Sequence, residues 1–135
     1  MSATSVLIVD DDPDIVAYVT SFLEDHGYAT RSAADAGQAL KTLDGFQPDA
    51  ILVDVLMPGK SGLDLLVTLR RDPRWRRIPL VVVTGMDQIL EHDCQAQLTS
   101  LHGVAGPDAV LGKPIDPKTL LAVLAHVCAR LPGAA

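Results

Sequence analysis

The sequence is short of the features that define several large protein classes. It has 2 cysteines, Cys94 and Cys128, too few for a disulfide scaffold and without metal-ligand spacing, so a reducing compartment is expected. No apolar run approaches the roughly 20 residues of a membrane span. The N-terminus lacks a basic stretch followed by a long apolar one, so no secretory signal is visible, no membrane partner is expected, and the expected location is the cytoplasm. Basic residues are outnumbered, 11 against 17 acidic, for a net charge of -6. That balance argues against direct nucleic-acid or anionic-membrane binding as the main role. With 10 glycines, 9 prolines and 21% charged residues, the composition is neither disordered nor fibrous.

What is present is a chain of 135 residues, 48% of them hydrophobic, which is enough to bury one core. The expectation is a single domain over residues 1–135, with an ordered core from about 5 to 131 and a frayed tail from Pro132 to Ala135. Five short apolar runs punctuate it: Ser5 to Val9, a weak one at Ala29 to Ser32, Ala50 to Val53, Leu80 to Val83, and Ala109 to Leu111. Three are rich in Val, Ile and Leu on both parities, the pattern of strands buried on both faces of a parallel sheet.

Helical spacing fills the intervals. Ile15, Val16, Val19, Phe22 and Leu23 form one stripe, with Asp12 as N-cap, Pro13 in the first turn and Gly27 at its close. Ala36 to Leu43 follows, capped by Asp35 and ended by Gly45. Leu63, Leu66, Val67 and Leu69 give a third, opened by Gly62 and stopped before Pro73. Ile89, Leu90, Cys94, Leu98 and Leu101 predict a fourth. Leu120, Leu121, Val123, Leu124, Val127, Cys128 and Leu131 give the fifth, begun at Asp116-Pro117. Alternating strands and helices predict a doubly wound α/β sandwich around a parallel sheet.

In such sheets ligands bind at the carboxyl ends of the strands. Asp10, Asp11 and Asp12 follow the first strand, Asp54 the third, Thr84 the fourth, and Lys113-Pro114 the fifth. With strands one and three as neighbours, Asp10, Asp11 and Asp54 meet. Three carboxylates in one crevice repel, so one keeps a proton or a cation sits among them. Oxygen donors without His or Cys suit a hard ion such as Mg2+, which readily accepts a phosphate oxygen. Lys113 can neutralise a carboxylate or a phosphoryl group, and Thr84 can donate to a phosphoryl oxygen. An Asp in that setting can itself be a nucleophile.

The segments VLIVDDDPDI, DAILVDVLMPGKSGLDLL, IPLVVVTG and LGKPI, in this order and spacing, resemble the receiver domain of bacterial two-component response regulators over roughly Ser5 to Leu131. The resemblance implies a flavodoxin-like five-stranded sheet in the order 2-1-3-4-5. It implies Asp54 as phospho-acceptor, Asp11 as a direct Mg2+ ligand, Asp10 acting on the ion through water, and Leu56 lending its backbone carbonyl. Thr84 matches the switch hydroxyl and Lys113 the family lysine, ahead of a cis Pro114. The implied donor is a phosphohistidine on a sensor kinase or phosphotransfer protein, or a small acyl phosphate. The implied output is a changed partner surface on helix 4, strand 5 and helix 5, with a homodimer as one use of it. The protein is then a phosphoacceptor switch, not a turnover enzyme. Alternatives are a receiver module of a hybrid kinase or multidomain regulator, a degenerate scaffold, and an aspartate-nucleophile phosphatase. The phosphatase would place its nucleophile after the first strand and need a longer chain.

Other residues have plainer readings. Asp12 is a cap and Asp14 a dipole partner. Arg70, Arg71, Arg74, Arg76 and Arg77 around Trp75 form a solvated loop, with RNA or a partner as the alternative. His26, His92, His102 and His126 are surface or structural, and the cysteines are core thiols. Val110 stands three before Lys113, where relatives often carry an aromatic, so coupling from Thr84 must be read out differently. The stretch from Met86 to Gly112 is longer than usual. Leu56 and Met86, each two residues after a site residue, are apolar, so the phosphorylated lifetime is set without polar help there. Leu56→Asn and Met86→Glu are expected to change the dephosphorylation rate; unchanged rates would refute this reading.

Overall fold

The computed structural model describes residues 4–54, 62–84, 108–112 and 115–129. Its strands are β1 (Ser5–Val9), β2 (Ala29–Ala33), β3 (Ala50–Asp54), β4 (Leu80–Thr84) and β5 (Ala109–Gly112). They pair in parallel in the order 2-1-3-4-5, as expected. All but β1 run one residue past the apolar run seen in the sequence, onto Ala33, Asp54, Thr84 and Gly112. Ladder hydrogen bonds come from the backbone, so pairing continues where side-chain hydropathy stops.

The described helices are α1 (Pro13–Asp25), α2 (Ala36–Gly45), α3 (Gly62–Arg71) and α4 (Pro117–Ala129). The expected helical stretch from Ile89 to Leu101, with Cys94, His92 and His102, lies outside the described residues, so α4 is the fifth stretch of the sequence. Among the described residues no helix is long and apolar enough to cross a membrane.

Strand alternation divides the core into two layers. Leu7, Val9, Ile51, Val53, Leu80 and Val82 pack with α2 and α3 through Ala39, Leu43, Leu65, Leu66 and Leu69. Val6, Ile8, Leu52, Val81, Val83 and Leu111 pack with α1 and α4 through Val19, Leu23, Leu120, Leu124 and Val127. β1, β3 and β4 are thus covered on both faces, which is why their sequences carry no polar alternation. β2 reads weakly because it is an edge strand and most of its residues are exposed.

Local chemistry sets the helix ends. The Asp12 carboxylate accepts from the Asp14 amide at 3.0 Å and Pro13 opens α1. The Tyr28 and Gly27 amides close it by donating to Leu23 and Glu24 carbonyls at 3.0 and 3.2 Å, with Gly27 at φ 88°. That is a Schellman closure, whose left-handed residue disfavours a Cβ. The Asp35 carboxylate accepts from the Gln38 amide at 2.8 Å, and Gln38 Oε1 accepts from the Ala34 amide. At α4, the Asp116 carboxylate accepts from the Thr119 hydroxyl at 2.7 Å and its amide at 3.2 Å, and these bonds hold its carboxyl below the usual range. Cys128 is half-buried against the α1–α4 layer, and burial together with Asp49 pushes its thiol up to about 11. His26 and His126 are exposed, and His26 Nδ1 donates to the Phe22 carbonyl at 2.9 Å.

The solvated loop expected after α3 needs correction. Trp75 is only 7% exposed and belongs to the α2–α3 layer. The Arg70 side chain, also 7% exposed, pairs with Asp108 at 2.8 Å and donates to the Arg76 and Ile78 carbonyls at 2.8 and 3.2 Å. Asp108 in turn exchanges hydrogen bonds with Leu80, accepting from its amide and donating to its carbonyl, both at 2.8 Å. One arginine therefore joins the end of α3 to the start of β4 and to the entry of β5. Charge alone reads as solvation; the burial comes from Trp75 anchoring the turn in the core. Arg70→Met is expected to destabilise by about 2 to 3 kcal/mol, because it leaves a partly buried carboxylate without its partner. Asp108→Ala is expected to cost a similar amount, with the double variant well below the sum; additive losses in urea unfolding would refute the coupling.

Candidate functional site

The parallel register of β1 and β3 decides where the acidic residues meet. Val9 pairs with Val53, so the next step along each chain sets Asp10 beside Asp54. The Asp10 amide donates to the Ala33 carbonyl at 3.1 Å, which extends the β1–β2 ladder through Asp10. Asp54 is the last residue of β3 and pairs with Val83 of β4. Both side chains are buried, each residue being 5% exposed. Asp11 stands at the tip of the turn into α1 and is exposed.

One carboxylate oxygen from each of Asp10, Asp11 and Asp54 lies within 4.8 Å of the others. Two of these acids are buried where unshielded charge is costly. The turn supplies part of the compensation: the Asp12 amide donates to Asp10 Oδ1 at 2.9 Å. Asp12 thus serves two ends, its carboxylate capping α1 and its amide fixing the Asp10 carboxylate. The capping role was legible in the sequence. The second was not, although an aspartate two residues before another turn residue is a known signal for such a bond.

The donor set is all oxygen, with no His or Cys, and the three oxygens are close enough to share one small cation. That fits a hard divalent ion and is poorly suited to a soft one. Thr84 ends β4, and its backbone pairs with Gly112 of β5. The residue after Gly112 is Lys113, which with Leu56, Pro114 and Met86 lies outside the described residues. Of the six expected site residues, the structure brings Asp10, Asp11 and Asp54 together and sets the Thr84 backbone at the same end of the sheet.

A 2-1-3-4-5 parallel sheet with three carboxylates at the carboxyl ends of β1 and β3, beside the reversal of strand order, defines an α/β domain of the flavodoxin-like kind with an acidic crevice at its switch point. Residues 6–125 match the response regulator receiver domain, and the chain belongs to that family. It is 32% identical over 125 residues to protein PilH of Pseudomonas aeruginosa, covering 92% of this chain and 97% of PilH. It is 35% identical over 127 residues to response regulator Rre1 of Synechocystis, covering 93% of this chain and 52% of Rre1. The chain thus spans nearly all of one relative and about half of the other. The receiver domain of sensor histidine kinase PA1611 from Pseudomonas aeruginosa, solved with magnesium in its active-site cleft, matches with a TM-score of 0.80 at 25% identity. That match covers 95% of this chain and 99% of the other. Receiver domains bind Mg2+ at an acidic pocket, and the Asp10–Asp11–Asp54 cluster has the chemistry of one.

Mutual repulsion in this cluster makes a prediction about stability. In a chelator, Asp11→Asn is expected to raise stability by about 1 kcal/mol, or roughly 3 to 5 °C in Tm. Mg2+ is expected to raise the Tm of the unaltered protein and to do so much less in the variant. Equal Mg2+ shifts in both proteins would remove Asp11 from the ion site.

Proposed function

We propose that Asp54 accepts a phosphoryl group from a phosphohistidine on a partner kinase or phosphotransfer protein, and that this transfer switches a partner-binding surface. The observation that carries the reading is the convergence of the Asp10, Asp11 and Asp54 oxygens within 4.8 Å at the switch point of the sheet. An Asp54 oxygen attacks phosphorus, the phosphorus–nitrogen bond of the donor breaks, and the imidazole leaves with its electron pair, giving an acyl phosphate on Asp54. Asp11 and Asp54 would hold Mg2+ directly, Asp10 through water, and Leu56 through its carbonyl. Bound Mg2+ supplies positive charge that offsets the charge spread over the phosphoryl oxygens. Thr84 donates its hydroxyl to a phosphoryl oxygen, and Lys113 pairs with the acceptor carboxylate before transfer and with the phosphoryl group after it.

The output surface includes the edge formed by β5 and α4. Val110 is 42% exposed on β5, beside a groove of about 400 Å3 whose lining includes Ala109, Lys118, Val123 and His126. An exposed aliphatic residue on an edge strand next to an apolar groove suits protein contact, including a second copy of the chain. The phosphoryl group need favour one state of that surface by only a few kcal/mol. In this reading the chain is one receiver domain over residues 1–135, works in the cytoplasm, binds no nucleic acid itself, and catalyses only its own phosphorylation and dephosphorylation. It is equally compatible with service as a module of a longer regulator. An aspartate-nucleophile phosphatase is not favoured, since residues 6–125 match the receiver family.

Incubation with acetyl phosphate and Mg2+, read by intact mass, is expected to add one phosphoryl group. Asp54→Ala abolishes it, and Lys113→Ala and Thr84→Ala slow its formation by at least about tenfold. Label retained in Asp54→Ala would overturn the assignment.

A further inference from the structure

The arginine-rich turn lies at the amino-terminal end of β4, at the opposite end of the strands from the aspartate cluster. Of the chain's 11 basic residues, Arg70, Arg71, Arg74, Arg76 and Arg77 fall within eight positions of a protein with net charge -6. Burial sorts them. Arg70 is turned into the core, while Arg71, Arg74, Arg76 and Arg77 are exposed. Arg74 lies across the Trp75 ring at 4.1 Å and is paired with Asp72 at 3.0 Å. Arg76 and Arg77 make no ion pair among the described residues.

The turn that presents them is rigid. Trp75 is buried, the Trp75 and Arg76 amides donate to the Asp72 carbonyl at 3.1 and 2.9 Å, and the Ile78 amide donates to the Trp75 carbonyl at 3.0 Å. The Arg76 carbonyl is itself held by Arg70. Cations on a fixed backbone lose less freedom on binding than cations on a loose loop.

We propose that this turn is a docking surface for an acidic protein segment, a run of Asp and Glu side chains that pairs with Arg76 and Arg77. Guanidinium groups suit carboxylates because they donate in a planar fork. Two features favour a short acidic peptide over nucleic acid. Trp75 is covered by the core on one side and Arg74 on the other, so no ring face is open for base stacking. The net charge of -6 repels a long polyanion, which extends beyond the patch, more than a short one. Because the surface sits away from Asp54, docking there leaves the phosphoryl site accessible.

The test is fluorescence anisotropy of a labelled octaglutamate peptide with the full chain at low salt. Binding is expected to weaken about fivefold to tenfold in Arg76→Ser/Arg77→Ser and to fade as salt is added. Arg31→Ser/Lys41→Ser changes the net charge equally at exposed sites elsewhere and is expected to leave binding intact. Asp54→Ala is also expected to bind normally, so failure here is distinct from failure of the phosphoacceptor reading. Absence of binding, equal weakening in both double variants, or tighter binding of an oligothymidylate of matching length would each overturn the proposal.

Discussion

The convergence of three carboxylates at one end of the sheet is the constraint around which this structure is arranged. Asp10 and Asp54 are buried side by side because β1 and β3 are neighbours in register, and Asp11 joins them from the turn above. Such a cluster costs stability unless something positive enters it. The rest of the protein must be stable enough to hold these acids together. The two apolar layers on either side of the sheet do this, with β1, β3 and β4 sealed on both faces. A conflict between fold stability and site chemistry at one end of a sheet is the usual mark of a functional position.

The opposite end of the sheet is organised by opposite charge. Arg70 ties α3 to β4 and to the entry of β5 through Asp108, and Trp75 fixes the turn between them. This network anchors the starts of β4 and β5, whose other ends carry Thr84 and, one residue past Gly112, Lys113. In the proposed reading, fixed far ends let the near ends answer a bound phosphoryl group without loss of register.

Much of the architecture was legible in the residues. Apolar runs located all five strands, and aspartates at positions 12, 35 and 116 located the starts of three helices. One-residue extensions of four strands were not legible, because hydropathy does not register backbone pairing. Positive charge misled at residues 70–77, where Arg70 and Trp75 are buried. Arginine with a long apolar stem and a satisfied head is at home in a core, and nothing local distinguishes it from its exposed neighbours. Asp108 gave no signal either, since its partner is 38 residues away.

The sequence by itself determined which segments pair as buried strands and which acids end them, because alternation, caps and apolar runs are properties of neighbours along the chain. Tertiary structure decided which acids share a cation-sized space, which arginine of the 70–77 turn is buried and which two of that turn make no ion pair among the described residues. Those outcomes depend on strand order and register and on long-range partners, and Coulomb energy falls with distance in space, not along the chain.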